Sequence, residues 1–191
     1  RLSGLFSEIS FRSSSGHSRL GNAIVWSGMR GVMTANLRKV VTIGVYGFDE
    51  AMFFKSLKDA EVDTFCDVRL RRGMRGSAYS FANSKHLQDR LTAMGIHYVH
   101  AKNLAPTKEI RELQHSEDAM THTLKRSRTV LGSQAKCLST FNMADFERLV
   151  GYDAKVVALF CVEREPDACH RSLVAARLSS DLGVEVHHIQ P

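Results

Sequence analysis

Between Cys161 and Arg171 the chain reads C-V-E-R-E-P-D-A-C-H-R, which sets two thiols, two glutamates, a histidine and two arginines within eleven residues. A thiol beside cationic side chains at a helix start has a lowered pKa and is a better nucleophile. Histidine and glutamate exchange protons near neutral pH, and arginine binds phosphate or carboxylate through two parallel N–H groups. The block follows the apolar run Val156-Val157-Ala158-Leu159-Phe160 and precedes the helical pattern Ser172 to Leu178. That order predicts strand, loop, helix. In a parallel α/β sheet such a loop lies at the carboxyl edge, where these folds place ligands.

The elements that must position this loop recur along the chain. Strands are predicted at Val40–Val45, Val62–Val68, Ile96–His100, Val156–Phe160 and Val184–Ile189, separated by helical patterns. Asp49 and Ser84 are expected to cap helices carrying Met52, Phe53, Phe54 and Leu57, and Leu87, Leu91 and Met94. Residues 107–128 have helical propensity but are polar, 129–141 show no period, and Met143–Val150 reads as a short helix. The alternation implies an α/β fold in three layers, with a mostly parallel sheet of about five strands and helices on both faces. The ends of the first, second and fourth strands then share one edge. That gathers Tyr46, Gly47, Asp67, Arg69, Cys161 and Glu163 around a crevice, with Cys169, His170 and Arg171 in the first turn of a helix capped by Asp167.

Composition narrows the class. Of 191 residues, 43% are hydrophobic and 24% charged, ordinary values for a globular domain. No apolar run approaches the ~20 residues of a membrane span. Four cysteines give no disulfide framework and suit a reducing, cytoplasmic setting. Half of the net charge of +6 lies in residues 1–32, where four arginines face a single glutamate. That segment is rich in Ser, Gly and Arg without a sustained period. It reads as a disordered leader, a transit-type segment or a non-native extension ahead of Met33, with residues 33–191 forming one α/β domain.

Thr42-Ile43-Gly44, Asp67-Val68-Arg69, Gly95-Ile96-His97-Tyr98-Val99-His100 and the block from Cys161 to Arg171 together resemble the family called domain of unknown function 488. The resemblance spans roughly residues 40–189 and implies a compact α/β domain with a shared pocket, but no activity. Many members continue T-I-G with His-Ser. This chain has Val45-Tyr46 instead, so a catalytic role carried by that histidine elsewhere is missing here or has moved.

The residues point to an intracellular enzyme-like protein, a hydrolase or transferase, whose pocket takes an anionic small molecule, a nucleotide or a nucleic-acid component. Glu163, Cys169, His170 and Asp67 are the candidate catalytic groups, with Glu163 favoured for proton transfer. Arg69, Arg171, Tyr46, Gly47 and Cys161 are the candidate ligand contacts. The acid-free run from Arg69 to Lys85 is expected to form a positive rim. Several alternatives stay open. Cys66 and Cys161 could be small buried hydrophobes, Asp67 and Arg69 could be one internal salt bridge, and Tyr79 and Phe81 could anchor the loop rather than stack on a base. The whole could also be a non-catalytic module that binds nucleic acid or a partner. No cofactor is expected, and no metal, because adjacent Cys169 and His170 are not expected to point at one ion. A chain beginning at Met33 is expected to melt at the same temperature as the full chain in a thermal scan. A loss of several degrees would show that residues 1–32 pack on the domain.

Overall fold

The computed structural model describes residues 36–121, 138 and 141–191. The leader, Cys137 and most of the aperiodic stretch lie outside the described residues. Five strands form one sheet: β1 (Lys39–Ile43), β2 (Thr64–Asp67), β3 (His97–His100), β4 (Val156–Phe160) and β5 (Glu185–Ile189). Every pairing is parallel, and the order is β3-β2-β4-β1-β5. The helices are α1 (Glu50–Asp59), α2 (Ser84–Ala93), α3 (Lys108–Thr121), α4 (Met143–Val150) and α5 (His170–Leu182).

Alternation along the strands explains the layers. On β4, Val157 and Leu159 join Phe146 and Val150 of α4 and Val174, Ala175 and Leu178 of α5 in one core. Ala158 and Phe160 face the other way, into Phe53, Phe54 and Leu57 of α1 and Leu87 and Leu91 of α2. All five β4 side chains are buried, as expected of a central parallel strand covered on both faces. Phe53 lies at the middle of the second core, with edge-on contacts to Phe48, Phe54, Phe65 and Phe160.

The caps differ from expectation in two of three places. Asp49 does cap α1, accepting the Met52 amide at 2.8 Å. Ser84 is instead the first residue of α2, behind Asn83, whose side chain accepts the Met74 amide at 2.6 Å. Asp167 falls in a short 3₁₀ turn, Pro166–Ala168, and Cys169 takes the N-cap position of α5. Pro166 sets that turn, and the Cys169 amide closes it on the Pro166 carbonyl at 2.9 Å.

Register places the site. Phe160 is opposite Ile43 on one side and Asp67 on the other, and Asp67 is opposite His100. The strands therefore end level, and Gly44, Val68 and Cys161 leave the sheet at the same height. Gly44 has no room for a side chain, since a Cβ there would sit 1.8 Å from the Glu163 carbonyl oxygen and 3.2 Å from Arg171 Nη1. Gly44→Ala is expected to destabilise the domain by about 2–4 kcal/mol, because neither backbone can yield without breaking the loop. Urea unfolding checks this, and a change below about 0.5 kcal/mol would show that the contact is soft.

Candidate functional site

A cavity of about 290 Å³ opens where β2 and β4 end. Cys161, Cys169 and His170 form its floor, Val162 and Glu163 one wall and Arg69 to Arg71 another; Pro106 and the α3 residues Ile110, Arg111, Gln114, His115 and Asp118 close it. A second depression at the amino edge includes Asp63, but that carboxylate is taken by the Lys155 and Val156 amides, both at 2.9 Å, and the lining holds no thiol. The carboxyl-edge cavity is the one with chemistry.

Its floor is a sulfur–imidazole cluster. Cys161 is the first residue after β4, while Cys169 caps α5 with extended dihedrals (φ −128°, ψ 138°). This conformation overturns the expectation that adjacent Cys169 and His170 diverge. Outside the helical region, the Cys169 side chain is free to turn toward the histidine that opens the helix. Cys161, Cys169 and His170 bring their ligand atoms within 4.8 Å of one another. His170 Nδ1 is 3.8 Å from Cys161 Sγ and 4.0 Å from Cys169 Sγ. Its Nε2 lies 3.0 Å from the Val68 carbonyl, which can only accept, so the proton is on Nε2. Burial works against ionising Cys169. A hydrogen bond from Cys161, then the His170 ring beside it and the positive field of Arg171, outweigh it and hold the thiol well below its usual pKa. The hydrogen bond to Cys169 pushes Cys161 upward, and burial adds to this. Of the two thiols, Cys169 is the more readily ionised.

Asp67, Arg69 and Arg171 are brought to this edge but are held inside it. Asp67 is fully buried and accepts from Arg69 Nε at 2.9 Å, Arg69 Nη2 at 2.7 Å, the Arg69 amide at 3.1 Å and the Tyr98 hydroxyl at 2.9 Å. Arg69 also donates to the Ala82 carbonyl at 3.0 Å and lies over the Phe160 ring at 4.5 Å. Proton exchange through Asp67 and anion clamping by Arg69 both conflict with this mutual saturation. The pair is instead the internal salt bridge of the D-V-R segment. Burial, helped by Asp67, pushes the Tyr98 hydroxyl up to about 12. Arg171, also 0% exposed, donates to the Glu163 carbonyl at 2.5 Å, the Arg164 carbonyl at 2.9 Å and Thr42 Oγ1 at 3.4 Å. It fastens the β4–α5 loop and is not among the residues that line the cavity.

Tyr46 and Gly47 lie outside the cavity lining. Tyr46 packs edge-on against Tyr79 at 5.2 Å, and Gly47, at φ +94°, is pressed against Pro191. Phe81 is buried in the core and anchors its loop, and Cys66 is a fully buried core residue whose pKa is driven up by burial. Arg71 stands exposed at the cavity mouth, whereas Arg72 is drawn aside to Tyr98.

Sequence reasoning expected a polar helix over residues 107–128 but missed that α3 (Lys108–Thr121) walls the cavity. Arg111, Gln114, His115 and Asp118 recur at i, i+3, i+4 and i+7, and this face looks into the cavity. Gln114 Nε2 donates to Asp118 Oδ1 at 2.5 Å, which turns Oε1 into a buried position where no donor among the described residues meets it. The periodic polar stripe was the available signal.

In chelator-treated protein, iodoacetamide is expected to modify Cys169 well before Cys66. The lowered pKa means that Cys169 is ionised at pH values where an ordinary thiol is not. Its rate should therefore persist below pH 9 and fall only on acidification through that lowered value. Peptide mapping across a pH series checks this, and a Cys169 rate that rises only above pH 9 would contradict the assignment.

No curated protein and no solved structure matches the chain. The profile of the family described as "Domain of unknown function DUF488" matches residues 50–178, from the start of α1 to Leu178 within α5. That span contains Asp67 and Arg69, the wall-forming α3 and the whole of the Cys161–Arg171 block. The chain belongs to the domain of unknown function DUF488 family.

Proposed function

We propose that the carboxyl-edge cavity binds a phosphorylated or otherwise anionic small molecule of the nucleotide class, and that the protein is an enzyme, a hydrolase or transferase, acting on it. The observation that carries this reading is the layering of the cavity. Arg71 and Arg111 stand above, Glu163 is in the wall, and Cys161, Cys169 and His170 are at the floor. With Arg69 and Arg171 held by internal partners, the cationic role falls to Arg71 and Arg111, which suit an anion near solvent. The Glu163 backbone is gripped between Gly44 and Arg171, and Glu163 is the cavity-wall carboxylate we assign to proton transfer. The reacting end of the ligand would meet the floor. A volume near 290 Å³ suits a small molecule or a single nucleotide unit better than a duplex.

No helix among the described residues is long and apolar enough to cross a membrane. The three described cysteines are free, which supports a reducing, cytoplasmic setting. A second reading, a nucleic-acid-binding module, is favoured by the acid-free run from Arg69 to Lys85. It places the ligand on that loop rather than in the cavity.

Calorimetry with nucleoside mono- and diphosphates separates the two. Arg71→Ala with Arg111→Ala is expected to weaken binding by at least about tenfold at low salt, as loss of charge-assisted hydrogen bonds requires. Glu163→Gln should keep binding and abolish turnover. Unchanged affinity in the double variant would refute the cavity reading. Salt-sensitive oligonucleotide binding lost on Arg71→Ala with Arg75→Ala would establish the module.

A further inference from the structure

We infer that Cys161, Cys169 and His170 form a zinc site whose fourth position faces the cavity. Zinc–sulfur bonds of about 2.3 Å and zinc–nitrogen bonds of about 2.0 Å, held tetrahedrally, set ligand separations of about 3.5 Å for S···N and about 3.8 Å for S···S. The two S···N distances here are 3.8 and 4.0 Å, and all three ligand atoms fall within 4.8 Å. Side-chain adjustments of up to about 1 Å close the set around a tetrahedral ion.

The imidazole is already oriented for the ion. Metal-bound histidines donate their second ring N–H to a carbonyl or carboxylate, which fixes the tautomer and aims the other nitrogen. His170 Nε2 does this on the Val68 carbonyl at 3.0 Å, leaving the Nδ1 lone pair between the two sulfurs. The ligands stand on rigid pieces, namely the end of the buried central strand and the first residues of α5. Two thiolates and one imidazole make a borderline-soft set that suits zinc rather than magnesium or calcium.

Three protein ligands with an open fourth place are the pattern of a reactive zinc rather than a closed structural one. The open side is the cavity itself, because all three ligands line it. A water, or an oxygen of the ligand, would complete the shell beside Glu163. The inference deepens the reading above by naming what occupies the floor. Its readout requires no anion, so the two stand or fall separately.

The test loads the full chain with zinc or with cobalt and removes the excess. About one metal per chain is expected, with cobalt giving thiolate charge-transfer absorption and the strong visible bands of a tetrahedral ion. Cys161→Ser and Cys169→Ser should each weaken uptake by about 100-fold or more while Cys66→Ser leaves it unchanged. Should the serine variants not fold, wild-type protein suffices, since zinc is expected to protect Cys161 and Cys169 from alkylation in unfolded-trap mapping. Metal below about 0.1 per chain, a cobalt spectrum indifferent to both serine substitutions, or equal labelling with and without zinc would overturn the site.

Discussion

The guanidinium of Arg171 sits at the centre of this domain's carboxyl edge with no exposed surface, and three parts of the chain are arranged around it. Its N–H groups reach the carbonyls of Glu163 and Arg164 and the hydroxyl of Thr42, joining α5, the β4–α5 loop and β1. Gly44 makes this possible by letting the loop carbonyl approach the β1 end as closely as backbone allows. A buried charge of this kind is tolerable only because its donors are matched, and removing it would strand two carbonyls away from water. Behind the Cys161 and His170 contacts, the same positive field adds to the lowering of Cys169, and, secondary to burial, to that of His188, which bonds Thr42 at 2.8 Å. Frame and electrostatics therefore share one residue.

Asp67 and Arg69 provide the second anchor. Their bidentate pairing, with Tyr98 and Ala82 completing the valences, holds the β2 exit against β3 and the loop at Ala82. His100 reinforces it through the Arg69 carbonyl at 2.8 Å. The Val68 carbonyl between these two residues is the one that orients His170. Rigidity in the D-V-R segment is thus handed on to the cluster at the floor.

Much of this was legible beforehand, and the failures have a common physical form. Strand order in the chain, layer assignment and the meeting of three strand ends all follow from period-two burial and short connections, which a sequence displays directly. The partner of a charge is not displayed. Arg69 and Arg171 look like ligand clamps because their side chains can serve either use, and only the fold reveals Asp67 and the loop carbonyls beside them. Cys169 and His170 are neighbours, so helical geometry argued for divergence; the 3₁₀ turn at Pro166 moved the helix start by two residues and reversed that. The α3 stripe escaped because polar residues at helical spacing look the same whether they face bulk water or a cavity.

The wall made by α3 has a consequence for how such a scaffold diversifies. The floor belongs to the end of β4 and the start of α5, where Cys161, Cys169 and His170 are all buried. Arg111, Gln114, His115 and Asp118 belong to a helix outside the two main cores, in which Ile110 is a buried apolar residue. Under the cavity reading proposed above, recognition and scaffold sit on separate elements. Exchanging a few side chains along one helical face would then retune which molecule is admitted and leave the floor beneath it in place.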